Sequence, residues 1–198
     1  LHAQRTLLAD KLLELGQKDE AIAVFLEVEQ RFADDIELLA CMAHFCQRAD
    51  AGNAAERAYQ RILQINPQDV SGYTDLAQFY VQYAHPGRAL DVATRGLEIE
   101  PDNATLWNTL ANTQTSLGLV KEALQSYRRA IELAPNVPWP YSGKLLAMHY
   151  TDDASVDELA EEHRRWGRLF APPSAAGRKF DNSIDPGRRL RVGYLSPD

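Results

Sequence analysis

The chain has 198 residues, 45% of them apolar and 25% charged, a balance that belongs to a soluble globular protein rather than a disordered or membrane-embedded one. Its net charge is −7, with the acidic excess in residues 1–170, and this argues against a nucleic-acid partner, because nonspecific affinity for phosphate backbones comes from Lys and Arg. No apolar run approaches the roughly 20 residues needed to cross a bilayer, so no membrane partner is expected.

The predicted elements come in units of equal length. Residues 2–35 place Leu8, Ala9, Leu12, Gly16, Ala21 and Phe25 at unit positions 7, 8, 11, 15, 20 and 24. Residues 36–69 place Leu39, Met42, Ala43, Ala55, Tyr59 and Pro67 at positions 4, 7, 8, 20, 24 and 32. Residues 70–103 repeat the register with Tyr73, Leu76, Ala77, Tyr80, Ala89 and Pro101, and residues 104–137 with Trp107, Leu110, Ala111, Gly118, Ala123, Tyr127, Ala130 and Pro135. Four units follow one another without insertion or deletion, and the set resembles the tetratricopeptide signature. It implies an all-α fold, a right-handed superhelical solenoid of antiparallel helix pairs.

Each recurring residue has a physical task. Alanine at positions 8 and 20 lets paired helices approach closely, and large side chains at positions 4, 7, 11 and 24 fill the gaps between pairs. Proline at position 32 lacks an N–H and disfavours helix in the residue before it, which ends the second helix. No unit can hide its apolar face alone, so stability comes from stacking. Gly16 and Gly118 read as turn glycines between paired helices.

Residues 138–170 read as a fifth, atypical pair that caps the array. Its first helix, 138–150, opens at Pro140, and the second begins with the capping box Ser155/Glu158, in which two orphan N–H groups are satisfied reciprocally. Leu159, His163, Trp166 and Phe170 then fall on one helical face. Residues 171–189, rich in Pro, Gly, Ser and charge, read as a linker. Residues 190–198 alternate like a strand, and a strand with no sheet to join suggests the opening of a second domain in a larger parent.

The two cysteines, Cys41 and Cys46, lie five residues apart on one predicted helix. They point well apart, so no bridge is expected, and both are expected to be small buried hydrophobes in a reducing, cytoplasmic compartment. The histidines His2, His44, His85, His149 and His163 show no HxxxH or HxxE spacing, so no metal site is expected. His163 reads as a rim histidine of the last helix. No phosphate-binding glycine loop is visible, and no cofactor is expected.

The stretch GRRLRVGYLSPD, residues 187–198, resembles the start of the catalytic region in SPINDLY-like and O-linked N-acetylglucosamine transferases. His149-Tyr150 and the run His163-Arg164-Arg165-Trp166 are similar to features of the bacterial members. That resemblance implies a truncated Rossmann-like glycosyltransferase domain beginning at 190–198, and a parent that is a UDP-sugar-dependent protein O-glycosyltransferase. The repeats would recognise its protein substrates, and this fragment itself would hold no catalytic residue. The alternative is a stand-alone adaptor that assembles a protein complex.

In stacked pairs the first helices line the concave face, with positions 2, 5, 9, 12 and 13 pointing into it. The candidate peptide groove is therefore Asp10, His44, Gln78 and Asn112 at position 9, Thr74 and Asn108 at position 5, and Glu14, Arg48, Gln82 and Ser116 at position 13. Amides and hydroxyls both donate and accept, so they can hold the backbone of an extended peptide whatever its side chains. The Lys/Arg clamp of chaperone-binding repeats is absent, since those positions hold Ala3, Thr6 and Leu7 in the first unit and Ser71, Thr74 and Asp75 in the third. Position 6 carries Leu7, Cys41, Asp75 and Thr109 rather than the asparagine ladder of the animal sugar transferases.

Overall fold

The computed structural model describes residues 8–9, 11–31 and 34–170. The linker expected at 171–189, the strand expected at 190–198 and Asp10 of the groove set lie outside the described residues. Helical backbone at 11–14 turns through 15–17 into α1 (Lys18–Arg31). There follow α2 (Ile36–Arg48), α3 (Gly52–Ile65), α4 (Val70–Gln82), α5 (Pro86–Ile99), α6 (Ala104–Ser116), α7 (Val120–Leu133), α8 (Pro138–Met148) and α9 (Val156–Phe170). No strand occurs among the described residues.

The 34-residue period is written into the backbone. First helices α2, α4, α6 and α8 begin at Ile36, Val70, Ala104 and Pro138, and second helices α1, α3, α5 and α7 at Lys18, Gly52, Pro86 and Val120. Packing runs between chain neighbours, with α4 also against α6 and α6 against α8, as in any one-dimensional stack. The fold is an all-α solenoid of helix pairs.

Alanine is what lets the pairs close. Ala9, Ala21, Ala43, Ala55, Ala77, Ala89, Ala111 and Ala123, at positions 8 and 20 of every unit, are all 0% exposed. Larger side chains interleave around them: Leu39, Met42, Tyr59, Ile62, Leu76, Phe79 and Leu106 join one continuous core. Position 4 adds a tether between units. Trp107 Nε1 donates to the Pro101 carbonyl at 2.7 Å, and Tyr141 Oη donates to the Pro135 carbonyl at 3.1 Å. A second tether recurs on the surface, where Arg61 pairs with Asp34 and Arg129 with Asp102, each at 2.6 Å. The equivalent Arg95 faces a unit with Gln68 in place of the acid, and its guanidinium instead lies over the Tyr73 ring, 5.4 Å from the centroid.

The turn between paired helices requires left-handed backbone at position 15. Gly16 and Gly118 supply it at φ of 77° and 76°, while Asp50 and Ala84 are held there at 61° and 55°. A Cβ in this region costs about 1–2 kcal/mol, against about 0.5–1 kcal/mol for the extra unfolded-state freedom of glycine. Ala84→Gly is therefore expected to gain about 0.5–1 kcal/mol, read as a higher urea midpoint at unchanged slope.

The last pair differs. Pro138 is the first residue of α8, Pro140 lies in the same first turn, and the helix ends at Met148. The loop 149–155 is longer than 49–51, 83–85 and 117–119 in the preceding pairs. The capping box forms: Ser155 N–H donates to Glu158 Oε2 at 2.8 Å, and Glu158 N–H to Ser155 Oγ at 3.2 Å. Yet α9 contains no fully buried residue. It rests on α8 through the Phe170 ring against Tyr141, a Trp166 Nε1–H···Oγ bond to Ser142 at 3.1 Å, and the Lys144–Glu162 ion pair at 2.8 Å. Among the described residues α9 has a neighbour on one side only.

One expectation about the thiols fails. Both cysteines are free, and Cys46 is buried, but Cys41 is exposed. Five helical residues turn the chain by about 500°, so the two side chains cannot share one buried face.

Candidate binding groove

Among the described residues, the first-helix face carries the predicted groove residues, and most of them already contact neighbouring side chains or backbone. At position 9, Asn112 Oδ1 accepts the Tyr127 hydroxyl proton at 2.6 Å. His44 also meets a tyrosine, its Nδ1 lying 3.2 Å from Tyr59 Oη, whose own proton goes to Gln47 Oε1 at 2.7 Å. Both tyrosines occupy position 24, where sequence periodicity assigns packing alone. Their rings are buried, yet their hydroxyls reach the polar face and orient the side chains there. Burial raises both phenols above their usual pKa, and at Tyr59 the Asp75 carboxylate adds to the effect. They remain donors at neutral pH.

His44 also joins two units, with Nε2 3.6 Å from Asp75 Oδ2. Burial raises the Asp75 carboxyl above its normal range, and the charge of His44 opposes that rise. Elsewhere on the face, Gln82 Oε1 accepts from Gln47 Nε2 at 3.3 Å, again across a unit boundary. Thr74 Oγ1 donates to the Val70 carbonyl and Ser116 Oγ to the Asn112 carbonyl, each one turn back. Glu14 pairs with Lys11 at 2.8 Å, which holds its carboxyl below the usual range. Gln78 and Arg48 are exposed.

Asn108 stands apart. Its Oδ1 is buried and has no hydrogen-bond partner. An acceptor removed from water and left unpaired costs about 1–3 kcal/mol, so the site favours any guest that brings a donor.

Side chains that periodicity did not single out complete the face. Trp139, Leu146 and Tyr150, at positions 2, 9 and 13 of the fifth pair, are 59%, 54% and 62% exposed. The face is thus polar along α2, α4 and α6 and apolar at α8. Their apolar character at polar-face positions is the signal that could have found them.

A cleft of about 640 Å³ lies elsewhere, between α3, α4 and α5, lined by Gln60, Leu63, Tyr80, Arg88 and Arg95 among others. Its polar groups satisfy one another: Glu56 accepts from Tyr80 at 2.8 Å and from Arg88 at 2.7 Å. Among the described residues no three metal-ligating side chains converge, and no helix is long and apolar enough to cross a membrane.

The helix pair α6–α7, with its alanines, turn glycine and closing proline, coincides with a match to the tetratricopeptide-repeat family model over residues 104–137. Residues 104–137 are a tetratricopeptide repeat. The solenoid is similar in fold to the MamA protein, with a TM-score of 0.69 at 17% identity over 85% of this chain and 91% of that one. It is also similar to an O-GlcNAc transferase of Thermobaculum terrenum, with a TM-score of 0.64 at 28% identity over 70% of this chain and 26% of that one. In sequence, 55 residues are 47% identical to a probable UDP-N-acetylglucosamine–peptide N-acetylglucosaminyltransferase SPINDLY of Petunia hybrida, and 75 residues are 32% identical to its counterpart in Oryza sativa subsp. japonica. Those stretches cover 28% and 38% of this chain but only 6% and 8% of the relatives.

Proposed function

We propose that the first-helix face of this tetratricopeptide solenoid grips extended polypeptide, and that the chain is the substrate-presenting repeat region of a SPINDLY-like or O-GlcNAc-type protein glycosyltransferase. The observation that carries the groove is the buried, unpaired Oδ1 of Asn108. A turn of the Asn108 amide would bring Oδ1 out to a backbone N–H of a passing peptide, the donor it lacks, and Gln78 and Asn112 lie one unit and one turn away. The transferase assignment is supported by the partial likeness to SPINDLY relatives and by the tail resemblance at 187–198. No chemistry falls to this fragment. Sugar transfer from a UDP-sugar belongs to the parent's catalytic domain, in the cytoplasm.

A second reading, in which the repeats serve as a stand-alone adaptor, is compatible with the fold-level fit to MamA over 85% of this chain. The gene downstream of residue 198 separates the two: the transferase requires two Rossmann-type halves there.

The groove is tested by fluorescence anisotropy with the tightest binder from an array of unstructured peptides. One lost hydrogen bond is worth about 0.5–1.5 kcal/mol, so Asn108→Ala is expected to weaken binding roughly 3- to 10-fold. The unfolding midpoint should hold or rise, because the substitution removes a buried unsatisfied group. Unchanged affinity would reject the groove.

A further inference from the structure

His149 ends α8 and His163 sits on α9, fourteen residues later, so no local spacing links them. The structure brings their Nε2 atoms to 3.4 Å, with ring centroids 5.7 Å apart and planes tilted by 54°. We propose that His149 and His163 form a two-histidine site for a divalent transition metal, of the kind that suits Zn²⁺, which fastens α9 to α8.

The spacing carries the argument. Two imidazole nitrogens each about 2.0–2.1 Å from a tetrahedral ion are separated by about 3.3–3.4 Å. A right-angled pair, as on square-planar or octahedral ions, would stand about 2.9 Å apart. The observed 3.4 Å matches the spacing of two ligands on a tetrahedral centre, so neither helix has to move. In the metal-free chain the two Nε2 atoms share one proton as a hydrogen bond, and an ion that takes both nitrogens displaces that proton after a small turn of each ring. Both side chains are exposed, so an ion enters without opening the core.

The site is open rather than closed. No third His, Cys, Asp or Glu converges on it among the described residues, so water completes the coordination and the ion exchanges readily. Its position gives it leverage, because α9 buries no residue and its other ties to α8 are mostly polar. An ion that binds the docked helix and not the detached one stabilises the docked state in proportion to the logarithm of its concentration.

The test uses the untagged chain, stripped of metal by chelator and then titrated with CoCl₂ or ZnCl₂. Expected are tetrahedral d–d bands with Co²⁺, a rise in thermal midpoint with Zn²⁺, and joint shifts of the two imidazole NMR signals. Loss of even an outer partner of a metal site costs roughly 10-fold in affinity, so His149→Ala and His163→Ala should each cost at least about 10-fold. His85→Ala, at the exposed start of α5, should change nothing. The Co²⁺ bands are read on folded protein, so a small stability change in either variant leaves the test intact. Binding that survives both substitutions, or no binding at millimolar metal, overturns the proposal.

Discussion

Gly143→Ala should cost about 3 kcal/mol and detach the fifth helix pair before the rest of the array unfolds. A Cβ at this position would lie 2.5 Å from Tyr127 Cε1, 2.6 Å from Cζ and 2.7 Å from Oη. The obstacle is the body of a ring that is 2% exposed and anchored through its hydroxyl to Asn112, so it cannot swing aside cheaply. Overpacking of this kind costs typically 1–3 kcal/mol, and here it also strains the Tyr127–Asn112 bond. Because each unit touches only its neighbours, the damage concentrates at the α7–α8 junction. Hydrogen exchange should show amides of α8 and α9 losing protection while those of α3 to α5 keep theirs. Gly167→Ala is the control, since a Cβ there meets nothing within 4 Å and the change should gain up to about 1 kcal/mol of helix propensity. Equal protection in the Gly143 variant would refute the clash.

Asn112→Ala should destabilise the chain by about 2 kcal/mol. The substitution takes the acceptor from the Tyr127 hydroxyl, a group that burial has already removed from bulk water, and a buried donor left unpaired costs about 1–3 kcal/mol. The double-mutant cycle decides the cause. Tyr127→Phe removes the donor, so Asn112→Ala made in that background should cost much less than it does alone. Urea denaturation of the four proteins measures the coupling, and additive effects would show that the bond carries no stability. The cycle also bears on the groove: any loss of peptide binding in Asn112→Ala mixes a missing contact with a loosened repeat, whereas Asn108→Ala does not.

Much of the architecture is legible in residue order. The 34-residue step, the alanines at positions 8 and 20, the turn glycines and the capping box all reappear as helix starts, closed contacts, positive φ and reciprocal hydrogen bonds. The groove is less legible. Position 9 reads as a free polar column, but His44 and Asn112 are partly spent on Tyr59 and Tyr127, whose hydroxyls lie hidden behind a periodicity that reports only their rings. Cys41 reads as core and is exposed, because apolar character by itself does not specify which side of a helix a residue occupies.

Periodic sequence suffices for the solenoid because every unit's contacts are with the next unit, so the same local pattern, read once, holds along the chain. Packing alone decides the rest: which acceptor lacks a donor at Asn108, where Trp139, Leu146 and Tyr150 surface, and that His149 meets His163. Those outcomes depend on the crossing of α8 and α9 and on how far a tyrosine reaches across a helix pair. A distance of a few ångströms between residues far apart in order has no counterpart in their spacing.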